Sequence, residues 1–299
     1  MASLKDIKRQ IGAVKQTQKL TKAMNMVAAA KLRATQGRTE SFRAYAEAHH
    51  RLMGEIGRLS TGVDHPLLKT NEQSKRVEIL AFSSDRGLCG SFNTNIFSLL
   101  DKKIVSLREA GHEVSLFLVG RKLKEYYQRR NVETSHAMVN VMGNFDYLLA
   151  QEIAETLTRE YLEGTYKEVW LLTTRFHGVG KQEPTITPFL PLVHEVNNME
   201  MGDDTHMHVG KGYGYIVEPD AATLFGRLIP RSLAIMIFQA MLESVTSENA
   251  ARMAAMDNAS KNCKEITENL TLVYNKLRQA AVTNELLDIV NGSEALAAA

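Results

Sequence analysis

Hydrophobic side chains recur at alternating intervals of three and four residues near the N-terminus of this chain. The spacing predicts one long helix from residue 4 to about residue 57, with a heptad-like stripe that is polar through its middle. A second stripe takes over where the first weakens, as expected when a straight helix drifts against a seven-residue repeat. The first stripe is Ile7, Ile11, Val14, Gln18, Thr21, Asn25, Ala28, Leu32, Thr35, Thr39, Phe42, Ala46, His49, Met53 and Ile56, and the second is Leu20, Met24 and Val27.

The C-terminal part carries the same alternation, and no proline follows Pro230. We expect Pro230 to kink or restart this helix after a shorter segment that begins near Asp220. Asn291 and Gly292 form a suitable helix stop. The predicted inward positions are Ala259, Cys263, Ile266, Leu270, Val273, Leu277, Ala280, Asn284 and Leu287.

The two terminal stripes can bury each other if the helices run antiparallel. We therefore predict a long antiparallel coiled coil, in which the N- and C-terminal helices pair as a shaft. The predicted parts are an N-terminal shaft helix over 1–65, an inserted domain over 70–210 and a C-terminal shaft helix over 215–299. The alternative is a bundle completed by other helices of the chain, which the central region does not obviously supply.

The central region alternates strands with helices. This order predicts a small, largely parallel, Rossmann-like α/β domain. The last extended segment contains prolines, which cannot donate to a ladder, so we expect it at a sheet edge. Strands are predicted at 76–82, 112–120 and 166–176, helices at 93–109, 121–130 and 145–162, an extended segment at 184–192 and a polar, glycine-rich connection at 197–215.

Composition is that of a folded protein, with 44% hydrophobic and 23% charged residues. No continuous apolar run approaches the roughly 20 residues that cross a bilayer. The first ten residues, MASLKDIKRQ, contain neither an apolar signal core nor a long Arg/Ser-rich presequence. We therefore expect a cytosolic protein.

Charge is unevenly distributed along the chain. Residues 1–60 carry 12 Lys and Arg against 4 Asp and Glu, a net +8, whereas the remainder carries 24 against 30, a net −6. A basic amphipathic helix suggests an acidic protein surface, lipid head groups or nucleic acid as partner. A solvated helix face is the simpler alternative.

Candidate chemistry is sparse. The GLCG sequence at 87–90 follows a strand, where phosphate loops occur, but it lacks GxGxxG and GxxxxGK[ST], so a tight turn is favoured over nucleotide binding. Cys89 has no evident His or acid partner, and a disulfide with Cys263 is not expected. The histidine pairs 49–50 and 206/208 lack further ligands. We predict no catalytic residue, no metal site and no cofactor.

Five segments, in order, carry a resemblance to a known family. Together they resemble the γ subunit of F-type ATP synthases across essentially the whole chain. Val282, Thr283, Glu285, Asp288 and Gly292 match the family's C-terminal signature, and Ser293 stands where that pattern has alanine. The segments are TKAMNMVAAAKLR (21–33), SSDRGLCG (83–90), VEPD (217–220), SENAARMAAMDNASKN (247–262) and LVYNKLRQAAVTNELLDIVNG (272–292).

The resemblance implies a non-catalytic central rotor-stalk subunit of a proton-translocating ATP synthase. Such a subunit couples rotation of a membrane c-ring to nucleotide-state changes in a hexameric head of α and β subunits, and its globular body contacts the ε subunit. The chain lacks a chloroplast-like cysteine insert and a mitochondrial presequence, so it resembles bacterial members. We then expect a peripheral protein on the cytoplasmic side of the cell membrane, attached only through the complex.

The resemblance also assigns contact residues by motif position. Contacts with the α/β head are expected at two levels of the helix pair, and contacts with the c-ring at a foot before the C-terminal helix. Packing within the helix seam is the alternative for Met24 and Thr283. The head contacts are Met24, Arg252, Gln279, Thr283 and Glu285, and the foot contacts are Tyr215 and Glu218.

Two other functional classes stay open at this point. A basic coiled-coil adaptor would bind nucleic acid or an anionic membrane through the +8 N-terminal segment in a salt-sensitive way. The basic residues are spread around the helix and few aromatics are interleaved, which disfavours stacking on single strands. A dehydrogenase-like enzyme would need a phosphate loop that the sequence does not contain.

Overall fold

A computed structural model describes residues 3–59, 65–130, 132–192 and 220–297. The chain divides into two compact units, residues 1–29 with 252–299, and residues 30–251. The domain boundaries named above stay predictions. The elements are α1 (Leu4–Leu59), a 3₁₀ turn (Pro66–Leu68), β1 (Arg76–Phe82), α2 (Phe92–Glu109), β2 (Glu113–Val119), α3 (Arg121–Tyr127), β3 (Glu133–Met138), α4 (Tyr147–Leu162), β4 (Glu168–Gly178), β5 (Lys181–Leu190) and α5 (Ala221–Ala297).

The unit of residues 30–251 is built on a five-stranded sheet in the order β3-β2-β1-β4-β5. The four strands β1 to β4 pair in parallel, and β5 is antiparallel to β4 at one edge. Helices follow β1, β2 and β3, as the crossover connections between parallel strands usually require. The predicted α/β fold class with two long terminal helices is confirmed, including the edge position of the proline-bearing strand.

Hydrophobic layers cover both faces of this sheet. On one face, α2 and α3 pack on alternate residues of β1 and β2, with Ile96 and Leu100 fully buried. On the other face, α4 and the segment of α5 around Leu233 and Ile237 pack on Leu80 and the strands beside it. Sheets buried on both faces require near-continuous apolar strands, which is why β1 and β2 were easy to predict.

One strand was not predicted from the sequence. The residues of β3 were assigned to no element, and α3 ends at Tyr127 instead of reaching residue 130. The strand reads ETSHAM and is only partly buried, because it lies at the edge of the sheet and pairs with β2 alone. Without an apolar period of two, no pattern marked it.

The inward face of α1 agrees with the first predicted stripe, whereas the second is wrong at Leu20 and Val27, which are exposed because the first stripe keeps facing α5. Buried or partly buried positions recur from Ile7 to Met53 at the predicted spacing. Its polar members contact the antiparallel α5: in the unit of residues 1–29 and 252–299, Gln18 Nε2 donates to Ser260 O (3.5 Å) and Asn25 Nδ2 to Met253 O (2.8 Å). Polar side chains therefore hold this pair together where large apolar ones are absent.

The inward positions of α5 agree with the prediction at every second member of the repeat and are shifted by one residue at the members between. Ala259, Cys263, Leu270 and Leu277 are partly buried as expected, whereas Ile266 and Val273 are 47% and 46% exposed. The next inward position lies four residues after Cys263, where three had been predicted. Thr267 and Tyr274 therefore face inward in place of Ile266 and Val273, and Ala281 in place of Ala280. Asn284 and Leu287 are exposed, so the predicted seam ends about one heptad too late.

Helix α5 runs from Ala221 to Ala297 with Pro230 inside it, so the stop predicted at Asn291 and Gly292 is wrong. No restart is assigned there, and a kink stays a prediction. Within the described residues, its segment Gly226–Asn291 contains an 18-residue window of mean hydropathy 1.4, apolar enough for a membrane span by composition, which the sequence had not led us to expect. However, 72% of that window is buried inside the protein, as in a core helix.

A carboxylate is buried in the sheet of the larger unit. Glu78 on β1 is fully buried and accepts hydrogen bonds from Ser115 Oγ on β2 and Ser135 Oγ on β3. Burial raises the pKa of Glu78 above its ordinary value, although both hydroxyls and the charge of Arg76 act in the opposite direction. The desolvation of the charged form outweighs its hydrogen bonds.

This buried acid predicts a pH-dependent stability. A raised carboxyl pKa contributes stability that is present below the unfolded pKa near 4.5 and is lost as pH rises through the folded pKa. Glu78→Gln removes this titration, so the substitution is expected to be more favourable at pH 7 than at pH 4.5. The change that it causes in the free energy of unfolding should be about 1 kcal/mol more positive at pH 7. Urea denaturation at both pH values checks this, with the exposed Glu152→Gln as control. An E78Q effect that is the same at both pH values would contradict the assignment.

Candidate partner-binding site

Met24 and Arg252 lie at one level of the helix pair formed by residues 1–29 and 252–299. The hydrogen bond between Asn25 and Met253, their immediate neighbours, fixes that level. Both Met24 and Arg252 are partly buried. The structure therefore places these two predicted contact residues at the same level and leaves part of each side chain accessible.

Gln279, Thr283 and Glu285 are exposed on the last turns of α5. Thr283 Oγ1 donates to Gln279 O (2.9 Å), so the hydroxyl hydrogen is satisfied by its own helix and the oxygen stays available as an acceptor. Gln279 and Thr283 are four residues apart and share one helix face. Seam packing, the alternative for Thr283, does not fit its exposure.

The end of α5 extends beyond its intrachain partner. The register set by Gln18 and Asn25 puts Leu4, the first residue of α1, opposite Tyr274. Beyond Ala281 every side chain described on α5 is exposed. An apolar surface left open in this way is typical of a partner contact. The exposed apolar residues there are Val282, Leu286, Leu287, Ile289 and Val290.

Only part of this surface was predicted from the sequence. Leu287 was placed in the seam, and Leu286, Ile289 and Val290 were given no role. Their signal was present in the sequence, since the apolar residues after Ala281 surround the helix and no longer form a single stripe. The predicted foot residues Tyr215 and Glu218 lie outside the described residues.

The position where an α/β sheet holds a dinucleotide is closed in this chain. Strand order reverses between β1 and β4, and ligands of open sheets bind outside the carboxyl ends of such strands. Here Ser83, just after β1, and Thr174, on β4 beyond its pairing with β1, are buried, and Ser247 of α5 donates to Thr174 O (3.2 Å). Helix α5 therefore packs where a nucleotide would lie in such a fold.

The neighbouring GLCG loop is a structural turn. Leu88 and Gly90 adopt positive φ values of 64° and 59°, and Cys89 is 2% exposed. Just before the loop, Asp85 accepts backbone N–H bonds from Arg121 (2.9 Å), Asn140 (2.8 Å) and Met142 (3.1 Å). The carboxylate of this SSDRGLCG segment thus ties three loops together at one edge of the sheet. Among the described residues, no His, Cys, Asp and Glu group has the geometry of a metal site.

Comparison with known proteins gives full-length matches. A family model described as ATP synthase matches residues 3–296. The chain is 42% identical over 297 residues to the ATP synthase gamma chain of Syntrophus aciditrophicus, covering 99% of both chains. It is 41% identical over 296 residues to that of Maridesulfovibrio salexigens, with the same coverage. The chain belongs to the ATP synthase gamma-chain family.

Solved structures of the same assembly share the fold of this gamma-chain family member. A chain from the Tetrahymena thermophila mitochondrial ATP synthase, described as central stalk and c-ring, aligns with TM-score 0.58 and 25% identity over 81% of this chain and 99% of that one. A chain of the Euglena gracilis mitochondrial enzyme aligns with TM-score 0.67 over 98% and 94%, and at 20% identity it shows the fold alone. The adaptor and dehydrogenase alternatives find no support in these matches.

Proposed function

We propose that this chain is the central rotor-stalk subunit of an F-type ATP synthase. The observation that carries the proposal is its match over nearly its whole length to ATP synthase gamma chains at about 40% identity. The subunit is not catalytic by itself, since ATP synthase gamma chains are stalk subunits. It couples rotation of a c-ring to nucleotide-state changes in a head of α and β subunits.

The open end of α5 is the part that enters the head. Exposed apolar side chains such as Leu286 and Ile289 meet a sleeve of α and β subunits, with Gln279, Thr283 and Glu285 as polar contacts on the same turns. Met24 and Arg252, nearer the sheet-containing unit along the chain, meet acidic loops of the β subunits. Coupling is then the difference in contact free energy between rotor angles for each state of a catalytic site.

The remaining partners follow from the same role. Tyr215 and Glu218 contact polar loops of the c-ring, and the sheet-containing unit contacts the ε subunit. The chain reaches the membrane only through the complex, which we place on the cytoplasmic side of a bacterial cell membrane.

Charge reversal at Arg252 tests the contact near Met24. Arg252→Glu is expected to lower ATP-driven proton pumping by the complex about fivefold or more, because a repulsive contact replaces an attractive one at the β-subunit loops. The free energy of unfolding of the separate chain is expected to change by less than about 1 kcal/mol, since partly exposed helical charges contribute little stability. Pumping is measured by fluorescence quenching in inverted vesicles.

The control is Arg129→Glu, which makes the same charge change at an exposed position after α3. It should leave pumping intact if the location of the charge matters. Normal pumping by a complex that contains Arg252→Glu would remove this contact from the proposal. Failure of the wild-type chain to copurify with α and β subunits would overturn the assigned function itself.

A further inference from the structure

A groove of about 650 Å³ opens in the unit of residues 30–251, and none of the individual contact residues named above lines it. Its walls come from α1, from β4 with β5, and from the segment of α5 between Ser232 and Glu243. Thr173 on its floor donates to Ala240 O (3.1 Å), so β4 and α5 are joined beneath it. The volume lies in the range that small-molecule sites occupy.

The groove contains a buried polar group without a partner. His49 is 9% exposed, lines the groove, and its Nε2 makes no hydrogen bond with any described residue. Burial, followed by the positive charge of Arg231, lowers the pKa of His49, so the imidazole is neutral at pH 7. A buried unpaired nitrogen costs about 1–3 kcal/mol, which an acceptor held in the groove offsets when Nε2 carries the ring proton.

Two guanidinium groups line the same groove as this histidine. Arg51 on α1 and Arg175 on β4 are exposed, and their side chains form no hydrogen bond or ion pair within the described residues. A third arginine is compensated, because Arg43 pairs with Glu243 at 3.4 Å. Glu47 also lines the groove and carries the opposing charge.

We propose that this groove binds a small phosphate-bearing anion, held by the guanidinium groups of Arg51 and Arg175 and by the imidazole of His49. Guanidinium groups match phosphate oxygens in geometry and form charge-assisted hydrogen bonds with them. Phe176 and Met236 supply an apolar part of the lining that accommodates the organic portion of a nucleotide. The site shares no residue with the rotor contacts proposed above, and its existence does not depend on them.

Calorimetric titration of the full chain with pyrophosphate and with ATP tests the site. The chain is used apart from α and β subunits, so that nucleotide sites elsewhere cannot contribute. Both anions are expected to bind, and Arg51→Gln with Arg175→Gln should raise each Kd by roughly tenfold per guanidinium removed. Adenosine, which lacks phosphate, should not bind. Tighter binding of ATP than of pyrophosphate would show that the groove also contacts the nucleoside. Equal binding would show that it contacts the phosphate groups alone.

A matched double variant separates the groove from overall charge. Arg33→Gln with Arg129→Gln removes the same two charges at exposed positions outside the groove and should leave both Kd values unchanged. Equal losses in the two double variants would overturn the proposal, as would no binding to the wild type at millimolar anion. If neither anion binds and the Arg51/Arg175 variant loses a subunit from the complex, the groove is a protein contact and the proposal is wrong.

Discussion

Replacing Gly120 with alanine is expected to lower the free energy of unfolding by about 4 kcal/mol or more. Gly120 joins β2 to α3 at φ 114°, a region that side chains rarely enter. A Cβ built there would lie 2.3 Å from Ser83 O and 2.6 Å from Ser83 Oγ. Because Ser83 follows β1 and is buried, the alanine must push apart the ends of two central strands.

Urea denaturation of the full chain measures this loss. Gly143→Ala is the matched control, since a Cβ at that position would meet no atom within 4 Å beyond its chain neighbours, and its φ is not in the positive range. That change should leave stability unaltered or raise it by up to about 1 kcal/mol through a less flexible unfolded state. Equal effects of the two substitutions would show that the approach of Gly120 to Ser83 is not needed for folding.

Truncation of α5 is expected to separate two parts of its C-terminal end. Deleting residues 270–299 removes the inward residues Leu270, Tyr274 and Leu277 together with Gln279 and Thr283. Deleting residues 288–299 leaves all of them in place. The longer deletion should lower ATP-driven proton pumping about tenfold or more, a loss of about 1.4 kcal/mol of coupling free energy, and the shorter deletion by less.

Pumping is normalised to the amount of truncated chain that copurifies with α and β subunits. This correction separates lost coupling from lost assembly, since the longer deletion also shortens the pairing with α1. Equal losses of pumping after the two deletions would show that the last twelve residues make the contacts that matter for coupling. Unchanged pumping after the longer deletion would exclude the whole end of α5 from coupling.

The sequence alone predicted the inward positions of α1 more completely than those of α5, for a physical reason. On α1 the inward positions keep one spacing from Ile7 to Met53, so polar members such as Asn25 are identified by their place in the repeat. On α5 the apolar residues Ile266 and Val273 compete with the inward Thr267 and Tyr274. Hydrophobicity alone predicts that Ile266 and Val273 face inward. The position of the facing helix α1 instead buries part of Thr267 and Tyr274.

The edge strand of the sheet and the contacts with other subunits could not be predicted from the pattern of residues alone. β3 is stabilised by its ladder to β2, a long-range contact that no local pattern encodes. The assignments of Met24, Arg252 and Glu285 depend on partners outside the chain, so only the family resemblance reached them. The open end of α5 became visible only when the register showed where α1 begins.

The side-chain amides of Gln18 and Asn25 have a mechanical consequence. Each reaches a backbone carbonyl of α5, and both keep the same antiparallel alignment. Sliding one helix along the other by a heptad, about 10 Å, would break both bonds at once. In a rotor subunit that delivers torque, these two bonds oppose sliding of one helix along the other while the pair turns.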